Sequence, residues 1–153
     1  MSTSCGIIPF RINDKNQYEF FVGHPGGTDW EKKDYWAYLK GNIKANESAE
    51  TAAMREFKEE SGIDLVNVTK DKLITLGITK QNKYKHVIAF AVYYPDIDPE
   101  KCYSNMADNG LNPEIDRYAW LTYKEVVKKT HPKHIVFYNK IVEIDKMRDI
   151  CNV

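Results

Sequence analysis

The chain has 153 residues, a usual length for one domain and enough to bury a core without disulfides or structural metals. Lysine plus arginine and aspartate plus glutamate both number 22, so the formal net charge is zero. This balance argues against a general binder of nucleic acid or of membrane surfaces. We therefore expect one domain, residues 1–153, whose partner is not nucleic acid.

Targeting and redox signals in the sequence are weak. The N-terminus has neither a charged region nor a long apolar run, so no signal peptide is expected, and no apolar stretch reaches transmembrane length. The cysteines are odd in number and widely spaced, which is typical of reduced thiols rather than of a disulfide framework or a zinc site: Cys5, Cys102 and Cys151. These features predict a cytoplasmic protein without a membrane partner.

Two strands open the chain and form a predicted hairpin. Strand patterns cover residues 4–12 and 17–23, with a polar turn between them. Pro9 within the first run indicates an edge strand or a bulge. A loop follows from residue 24 to residue 35, long enough to be functional, and residues 36–39 are predicted as a short strand.

A helix is predicted next, over residues 47–61, because this stretch is rich in alanine and lacks glycine and proline. Residues 46–48 offer N-capping groups and negative charge, and Gly62 is a good helix stop. At about 100° per residue, Glu56 and Glu60 fall within about 40° of Ala49, and Glu59 lies nearby. The carboxylates therefore lie beside the smallest apolar residues of the helix.

Two interpretations of these carboxylates are possible. A charge run on a helix usually faces solvent, but that arrangement would place the glutamates opposite the alanines. Carboxylates at i and i+4 project side by side, so Glu56 and Glu60 can share one divalent cation. Such a cation offsets both their mutual repulsion and the cost of half-burying them. The pattern favours a metal site.

The second half of the chain adds strands and then helices. Strands are predicted at residues 73–81 and 83–94, and the latter, as the most apolar run, is the candidate for a central strand. A loop covers residues 96–113, followed by a strand at 117–121, a helix at 123–129 capped by Thr122, and a closing helix at 133–148. This order implies an α/β fold of the α+β type, with a mixed β-sheet covered by helices.

The predicted helix lies within a longer motif. Residues 41–63 begin with Gly41, followed by Glu47, Arg-Glu-Phe at 55–57, Glu59, Glu60, Gly62 and Ile63. The spacing resembles the Nudix box, Gly-x5-Glu-x7-Arg-Glu-U-x-Glu-Glu-x-Gly-U, in which U is a bulky apolar residue. The layout of most of the chain is also similar to the Nudix hydrolase superfamily. The resemblance implies an α/β/α sandwich with a mixed sheet, in agreement with the predicted elements.

Two further likenesses lie outside the box. The residues between His24 and Gly41 are similar to a bacterial subgroup of predicted nucleoside triphosphate pyrophosphohydrolases, through His24-Pro25-Gly26-Gly27, Trp30, Lys33-Asp34, Trp36 and Lys40-Gly41. Residues 4–11 show a weaker likeness to a diadenosine tetraphosphate hydrolase. In one departure, Leu39 stands where such proteins commonly have proline, which predicts a looser turn into the box.

The Nudix resemblance implies metal-dependent hydrolysis of a diphosphate bond in a nucleotide derivative, with Mg²⁺ or Mn²⁺ as the ion. It implies that Glu56 and Glu60 are metal ligands and that Glu59 is a ligand or the base. The carbonyl of Lys40 or of Gly41 is a further expected ligand.

Two other residues of the box are assigned supporting roles. Arg55 precedes Glu59 by four residues, a spacing that allows it to orient that carboxylate, and joins Glu59 and Glu60 as a catalytic candidate. Glu47 braces the loop before the helix or serves as a charge at the helix N-terminus.

A further acidic ligand is expected from outside the box, as in many Nudix sites. Glu114 is the favoured candidate, because Pro113 and the strand that follows should fix its backbone. Asp116 is the second candidate, since it is two residues further along an extended segment. A solvent-facing role for Glu114 remains open, and the long loop offers two other carboxylates, those of Glu100 and Asp108.

Several residues outside the expected metal site are candidates for substrate contacts. Lys40 is a candidate to bind substrate and His24 to approach phosphate, although a loop histidine also fits an ordinary turn role. Trp36 and Tyr84 are candidates to stack on a base, as are Trp30 and Tyr35, with core or rim packing as the alternative for each.

These observations predict a metal-dependent pyrophosphohydrolase acting on a nucleoside diphosphate derivative, of the nucleoside triphosphate or the dinucleoside polyphosphate type. The alternative is a nucleotide-binding sensor of the same fold without turnover, which the complete set of box carboxylates disfavours. The sequence leaves open dinucleoside polyphosphates, oxidised nucleotides, nucleotide sugars and capped RNA. We expect a monomer or a homodimer.

Overall fold

A computed structural model of the chain describes residues 1–65, 67–68 and 70–144. It contains six strands: β1 (Ser2–Ile12), β2 (Tyr18–Pro25), β3 (Leu39–Asn42), β4 (Ile74–Asn82), β5 (Lys85–Tyr93) and β6 (Ile115–Thr122). Its α-helices are α1 (Ala49–Ser61), α2 (Tyr123–Lys129) and α3 (Ile135–Glu143). The predicted elements are confirmed except at two places: the third strand begins at Leu39 rather than at residue 36, and the closing helix covers Ile135–Glu143 and ends before Ile144, which is extended. The end of the predicted closing helix, residues 145–148, lies outside the described residues.

The strands form one mixed sheet in the order β4-β5-β1-β2-β6, and β3 pairs with β1 beside β2. β1 runs parallel to β5 and antiparallel to β2 and β3, which confirms the predicted hairpin and the mixed sheet. β5 lies between β4 and β1, as expected for the most apolar run. The sheet thereby brings β3, which leads into α1, alongside the first half of β1.

Helices cover both faces of the sheet, and the predicted sandwich is confirmed. Alternate residues of β1 point to opposite faces, so Ile7 packs on one side and Ile8 on the other. One layer packs α1 against the sheet through Ala52, Ala53 and Phe57. The other layer packs α2 and α3 through Val126, Phe137, Tyr138 and Ile141.

Pro9 is not at an edge, and the edge interpretation of this residue is wrong. β1 is an interior strand, and Pro9 is paired with Val92 of β5. On its other side β1 changes partner, because its pairs with β3 end at Ile7 and its pairs with β2 begin at Phe10. A residue without an amide hydrogen is tolerated in this gap between two ladders.

The turn into the box is not loose, and that expectation from Leu39 is also wrong. Leu39 is 1% exposed and pairs with Ile7 across the sheet, so β3 is fixed from its first residue. Burial of a leucine side chain contributes about 1.5–3 kcal/mol, and a proline at this position would remove an amide hydrogen from the strand. The apolar contact therefore replaces the rigidity that proline gives.

Cys5 and Cys102 are free thiols, as predicted, and Cys151 lies outside the described residues. No helix in the described ranges combines the length and apolar character that crossing a bilayer requires.

Candidate active site

α1 ends where its sequence predicts and begins two residues later than predicted, at Ala49. The hydroxyl of Ser48 accepts a hydrogen bond from the amide of Thr51 at 3.1 Å, which caps the first turn. Gly62 ends the helix in a left-handed conformation at φ 79°. Between these caps, the side of α1 that faces β3 carries the glutamates of the box.

A cleft of about 470 Å³ lies between α1, β3 and the loop before β6, and we call it the acidic cleft. Its carboxylates are those of Glu56, Glu59, Glu60, Asp108 and Glu114. Its cationic side chains are those of Lys40, Lys44, Arg55 and Lys85. The cleft thus combines oxygen ligands with groups that neutralise phosphate charge.

Glu60 is the most buried of these carboxylates, with 6% of the residue exposed. Its Oε1 accepts a hydrogen bond from the amide of Lys40 at 3.2 Å, which ties the helix to β3. Burial raises the pKa of Glu60, and Glu56 and Glu114 raise it further, while Lys40 opposes them. The helix therefore holds a carboxylate whose negative charge is only partly compensated.

Gly41 gives the second carboxylate its place. A Cβ at this position would lie 2.1 Å from the carboxyl carbon of Glu56, so any side chain would displace the carboxylate. Burial raises the pKa of Glu56, and the nearby Arg55 opposes that shift. The glycine of the box is required for this close approach of side chain to backbone.

Arg55 joins the helix to the preceding loop. Its Nε and Nη2 donate to both carboxylate oxygens of Glu47 at 2.8 and 3.0 Å, and Nη2 also donates to the carbonyl of Asn42 at 3.0 Å. Its Nη1 donates to Glu56 at 2.7 Å, whereas both oxygens of Glu59 are 3.4 Å away. Arg55 orients Glu56 more closely than Glu59, because Glu56 offers the shorter hydrogen bond.

Glu47 has the bracing geometry that one of its two interpretations required. It accepts from the amide of Lys44 at 3.0 Å, so it closes the loop between β3 and α1. The hydrogen bonds from Arg55 and from this amide lower the pKa of Glu47 to about 2.

The loop before β6 brings two carboxylates to the acidic cleft, those of Glu114 and Asp108. The backbone of Glu114 is fixed on both sides, since its amide donates to Asn105 and its carbonyl accepts from Gly26, each at 2.9 Å. Burial raises the pKa of Glu114, and Asp108 raises it further. Glu100 does not line the cleft as the structure describes it.

His24 and Asp116 pair with each other away from the cleft. His24 is fully buried, and its Nδ1 lies 2.8 Å from Asp116 while its Nε2 lies 2.7 Å from the carbonyl of Lys33. Both ring nitrogens are engaged inside the protein, so the structure does not support the expectation that His24 contacts phosphate. Asp116 does not share the position of Glu114, since its carboxylate is turned toward His24.

A second cavity, of about 300 Å³, opens beside the first, and we call it the aromatic cavity. Its walls carry Trp30, Tyr35 and Tyr38 together with the amide of Gln81 and the imidazole of His131. The rings of Trp30 and Tyr35 lie 4.9 Å apart between centroids. Both cavities share the same three residues, Lys40, Glu60 and Glu114. The two cavities are therefore adjacent, and these three residues lie where they meet.

A family model described as the NUDIX domain matches residues 7–141, a range that includes the box and all residues that line the two cavities except Ser4. The chain belongs to the Nudix family. It is therefore a hydrolase of pyrophosphate bonds.

Solved Nudix structures share the fold at low sequence identity. The C. elegans Ap4A hydrolase, in a binary complex, has a TM-score of 0.61 and 17% identity over 91% of this chain and 95% of that one. The E. coli dihydroneopterin triphosphate pyrophosphohydrolase has a TM-score of 0.61 and 17% identity over 93% and 96%. A MutT/nudix family protein from Enterococcus faecalis has a TM-score of 0.59 and 16% identity over 79% of this chain, which spans 43% of that chain's length. A search of curated protein sequences finds no match.

Nudix hydrolases generally use divalent metals, and the acidic cleft fits such an ion by its chemistry. Its donors are carboxylate and carbonyl oxygens, which suit Mg²⁺ and Mn²⁺. In the described part of the chain no three His, Cys, Asp or Glu side chains already converge on a point that could hold a metal. Arg55 and the amide of Lys40 each bond one oxygen, Oε1, of Glu56 and of Glu60 respectively.

Two predicted substrate residues lie outside both the acidic cleft and the aromatic cavity. Trp36 packs against the core layer of α2 and α3, and its Nε1 donates to Asp34 at 2.9 Å. Tyr84 is 68% exposed at the tip of the β4–β5 hairpin. Neither ring lines the acidic cleft or the aromatic cavity as the structure describes them, so the stacking role expected of each is not supported.

Sequence reasoning missed the polar side of the aromatic cavity. Tyr38, Gln81 and His131 line it, but none of them belongs to the box. Tyr38 lies within the predicted strand 36–39, His131 lies between two predicted helices, and Gln81 is the last residue of the predicted strand 73–81. The available signal was the alternation of β4, in which partly buried Thr79 and Gln81 flank exposed Lys80.

Proposed function

We propose that this Nudix protein is a pyrophosphohydrolase that requires Mg²⁺, with Mn²⁺ as the alternative ion. Its substrate is a nucleoside diphosphate derivative of the nucleoside triphosphate or dinucleoside polyphosphate type. The observation that carries the proposal is that the two cavities are adjacent and share Lys40, Glu60 and Glu114 in their walls. A base stacked on the aromatic walls would lead its phosphates directly to the box carboxylates.

Five residues are proposed to hold the ion: Glu56, Glu59, Glu60 and Glu114 through their carboxylates, and Gly41 through its carbonyl. When bound, the ion polarises the phosphoryl oxygens and lowers the pKa of the attacking water. The raised pKa values of Glu56, Glu60 and Glu114 support this assignment, because a cation would relieve the crowding of negative charge that contributes to them.

The chain's own groups bind and orient the substrate. Lys40 and Lys85 line the acidic cleft, where they would neutralise phosphate oxygens that otherwise repel a nucleophile. Burial and the neighbouring Lys85 lower the pKa of Lys40, while Glu60 opposes that shift. Phosphate between the two lysines would reduce their repulsion.

Glu59 is the proposed general base. Its side chain is 40% exposed, the most open of the three box carboxylates that line the cleft, and can accept a proton from water at the cleft mouth. Arg55 holds Glu56 and stays within 3.4 Å of Glu59, so it positions both carboxylates.

The experiment is a substrate panel with Mg²⁺, followed by product analysis. It includes nucleoside triphosphates, dinucleoside polyphosphates, oxidised nucleotides, nucleotide sugars and capped RNA. We expect release of a mononucleotide with pyrophosphate or a second nucleotide, and in ¹⁸O-labelled water the label enters a phosphate product because phosphorus is attacked. Tight binding across the panel without turnover would instead identify a nucleotide sensor.

A further inference from the structure

Gln81 lies at an irregularity of β4 that turns its side chain toward the aromatic cavity. The pairing of β4 with β5 shifts between Lys80 and Asn82, which face the consecutive residues His86 and Lys85. Gln81 is thus the extra residue of a β-bulge, a feature that re-aims side chains and is frequent beside active sites. Its side chain lines the aromatic cavity and contacts the segment before α3.

The side chain of Gln81 contacts a buried histidine, His134, and the surroundings of this ring determine its tautomer. His134 is fully buried, and burial, followed by the nearby Lys40, lowers its pKa to about 2, so its ring is neutral. Its Nε2 lies 2.7 Å from Oε1 of Gln81, whereas Nδ1 has no hydrogen-bond partner in the described structure. A buried N–H without an acceptor is rarer than a buried acceptor without a donor, so the proton belongs on Nε2.

This tautomer fixes the amide of Gln81. Because Nε2 of His134 donates, the atom of Gln81 that faces it must be the acceptor, Oε1. The remaining terminal atom of Gln81 is the NH₂ group, which can only donate. A side chain that is usually free to present either group is therefore held with its donor available to the cavity.

His131 adds a donor to the same wall. Its Nδ1 accepts from the amide of Lys133 at 3.0 Å, so the proton of the neutral ring is on Nε2. Burial lowers the pKa of His131, which favours the neutral ring, and its plane stacks on His134 at 5.1 Å between centroids. Gln81 and His131, which lie on this wall of the aromatic cavity, thus both present hydrogen-bond donors.

We propose that Gln81, held by His134, selects nucleotides whose base presents a carbonyl oxygen over those that present an amino group at the same position. Guanine, hypoxanthine, uracil and thymine carry such a carbonyl, whereas adenine and cytosine carry an amino donor there. An amino group would face the NH₂ of Gln81 donor to donor and leave both unsatisfied. The inference rests on the proposed function, because it places the base in the aromatic cavity.

Two pairs of substrates test this selection. Inosine and adenosine triphosphate differ by a carbonyl in place of an amino group, as do uridine and cytidine triphosphate, and in each pair the adjacent ring nitrogen carries hydrogen only in the carbonyl member. The variants of Gln81 separate these two differences. We expect kcat/KM to favour the carbonyl member of each pair by about tenfold or more, since a mismatched buried donor costs about 1–3 kcal/mol. Binding of the α,β-methylene analogues, measured by fluorescence titration with Mg²⁺, should show the same order without turnover.

Variants of Gln81 test whether this residue is the cause. Gln81→Met keeps the length and removes the donor, so the preference should collapse to about twofold or less. Gln81→Glu still accepts from His134 but presents an acceptor to the cavity, and the preference should move toward adenine and cytosine. Lys80→Met, at the exposed neighbouring position, is the matched control and should retain the wild-type ratio. Thermal unfolding establishes that each variant is folded.

The outcomes separate this inference from the proposed function. Turnover without a carbonyl preference would overturn the role of Gln81 and leave the hydrolase assignment intact. Analogue binding with the carbonyl preference, but no turnover of any triphosphate, would support Gln81 and count against the hydrolase assignment. A carbonyl preference that persists unchanged in both Gln81→Met and Gln81→Glu would assign selection to another group and overturn the inference.

Discussion

The acidic cleft and the aromatic cavity meet at Lys40, Glu60 and Glu114, yet the chain builds them differently. The box carboxylates that line the cleft lie on α1, and Gly41 lies on β3, the strand that leads into α1. The aromatic cavity collects side chains from the loop after β2, the bulge in β4 and the segment before α3. The box carboxylates are therefore fixed by local structure, whereas the groups that face a base depend on long-range packing.

The acidic cleft and the aromatic cavity should therefore differ in function. A rigid helix holds carboxylates at a defined spacing, which catalysis of a charged reaction requires. Loops and strand ends can change their side chains without disturbing that helix, so selection of the base belongs to them. Substitutions in the cleft should therefore affect turnover most, and substitutions in the cavity should affect KM or the choice of base.

The largest effect is expected from Glu60→Gln. The amide keeps the size of the side chain and can still accept from Lys40, but it removes a charge from the centre of the cleft. Turnover with Mg²⁺ should fall at least about 10²-fold, the usual cost of losing an electrostatic catalytic group. Glu50→Gln, in the first turn of the same helix, is the matched control and should keep turnover near the wild-type value. Full activity of Glu60→Gln with Mg²⁺ would remove Glu60 from the site.

Glu60→Gln should also change how the Tm of the protein responds to Mg²⁺. Burial raises the pKa of Glu60, so its ionised form is unfavourable in the folded protein, and Glu60→Gln should not lower the Tm in the absence of metal. Mg²⁺ should raise the Tm of the wild-type protein, because it binds the folded state, and raise that of the variant less. An equal shift in both proteins would place the ion elsewhere.

A smaller effect is expected from Glu114→Gln, at the point where the two regions join. Glu114 lines both cavities, so its loss should lower turnover or weaken the Mg²⁺ dependence by between about 10- and 100-fold, with nucleotide binding nearly unchanged. Asp116→Asn is the matched control, because Asp116 contacts His24 away from the acidic cleft. Wild-type kinetics in Glu114→Gln with a large loss in Asp116→Asn would transfer the role to Asp116.

The sequence predicts the cleft well because its signals are local. Periodicity placed Glu56 and Glu60 beside the small apolar residues of α1, and Ser48 and Gly62 marked its ends. The close approach of Glu56 to Gly41 and the links from Arg55 to Glu47 follow from residues at most 15 positions apart, between which α1 leaves little freedom. The structure differs from the prediction in the partner of Arg55, which was expected to be Glu59. Glu56 and Glu47 are nearer to Arg55 than Glu59 is.

The cavity was harder to predict because its contacts join distant parts of the chain. His24 is followed by a glycine-rich loop and could have faced phosphate, but its contact with Asp116 spans 92 positions. Gln81 contacts His134 over 53 positions, and no pattern within a strand indicates such a partner. The edge interpretation of Pro9 failed for a related reason, since the change of partner along β1 depends on where β3 returns.

The smallest effect, and the one that tests the comparison itself, is expected from the tryptophans of the cavity region. Trp30 lines the aromatic cavity beside Tyr35, whereas Trp36 packs behind it on the core and His24. Trp30→Leu should raise KM for the best substrate about fivefold with kcat nearly unchanged, since stacking contributes about 1–3 kcal/mol per base. Trp36→Leu should lower the Tm because packing is lost, and it should raise KM less than Trp30→Leu does. A larger rise in KM for Trp36→Leu than for Trp30→Leu would show that the base binds outside the aromatic cavity.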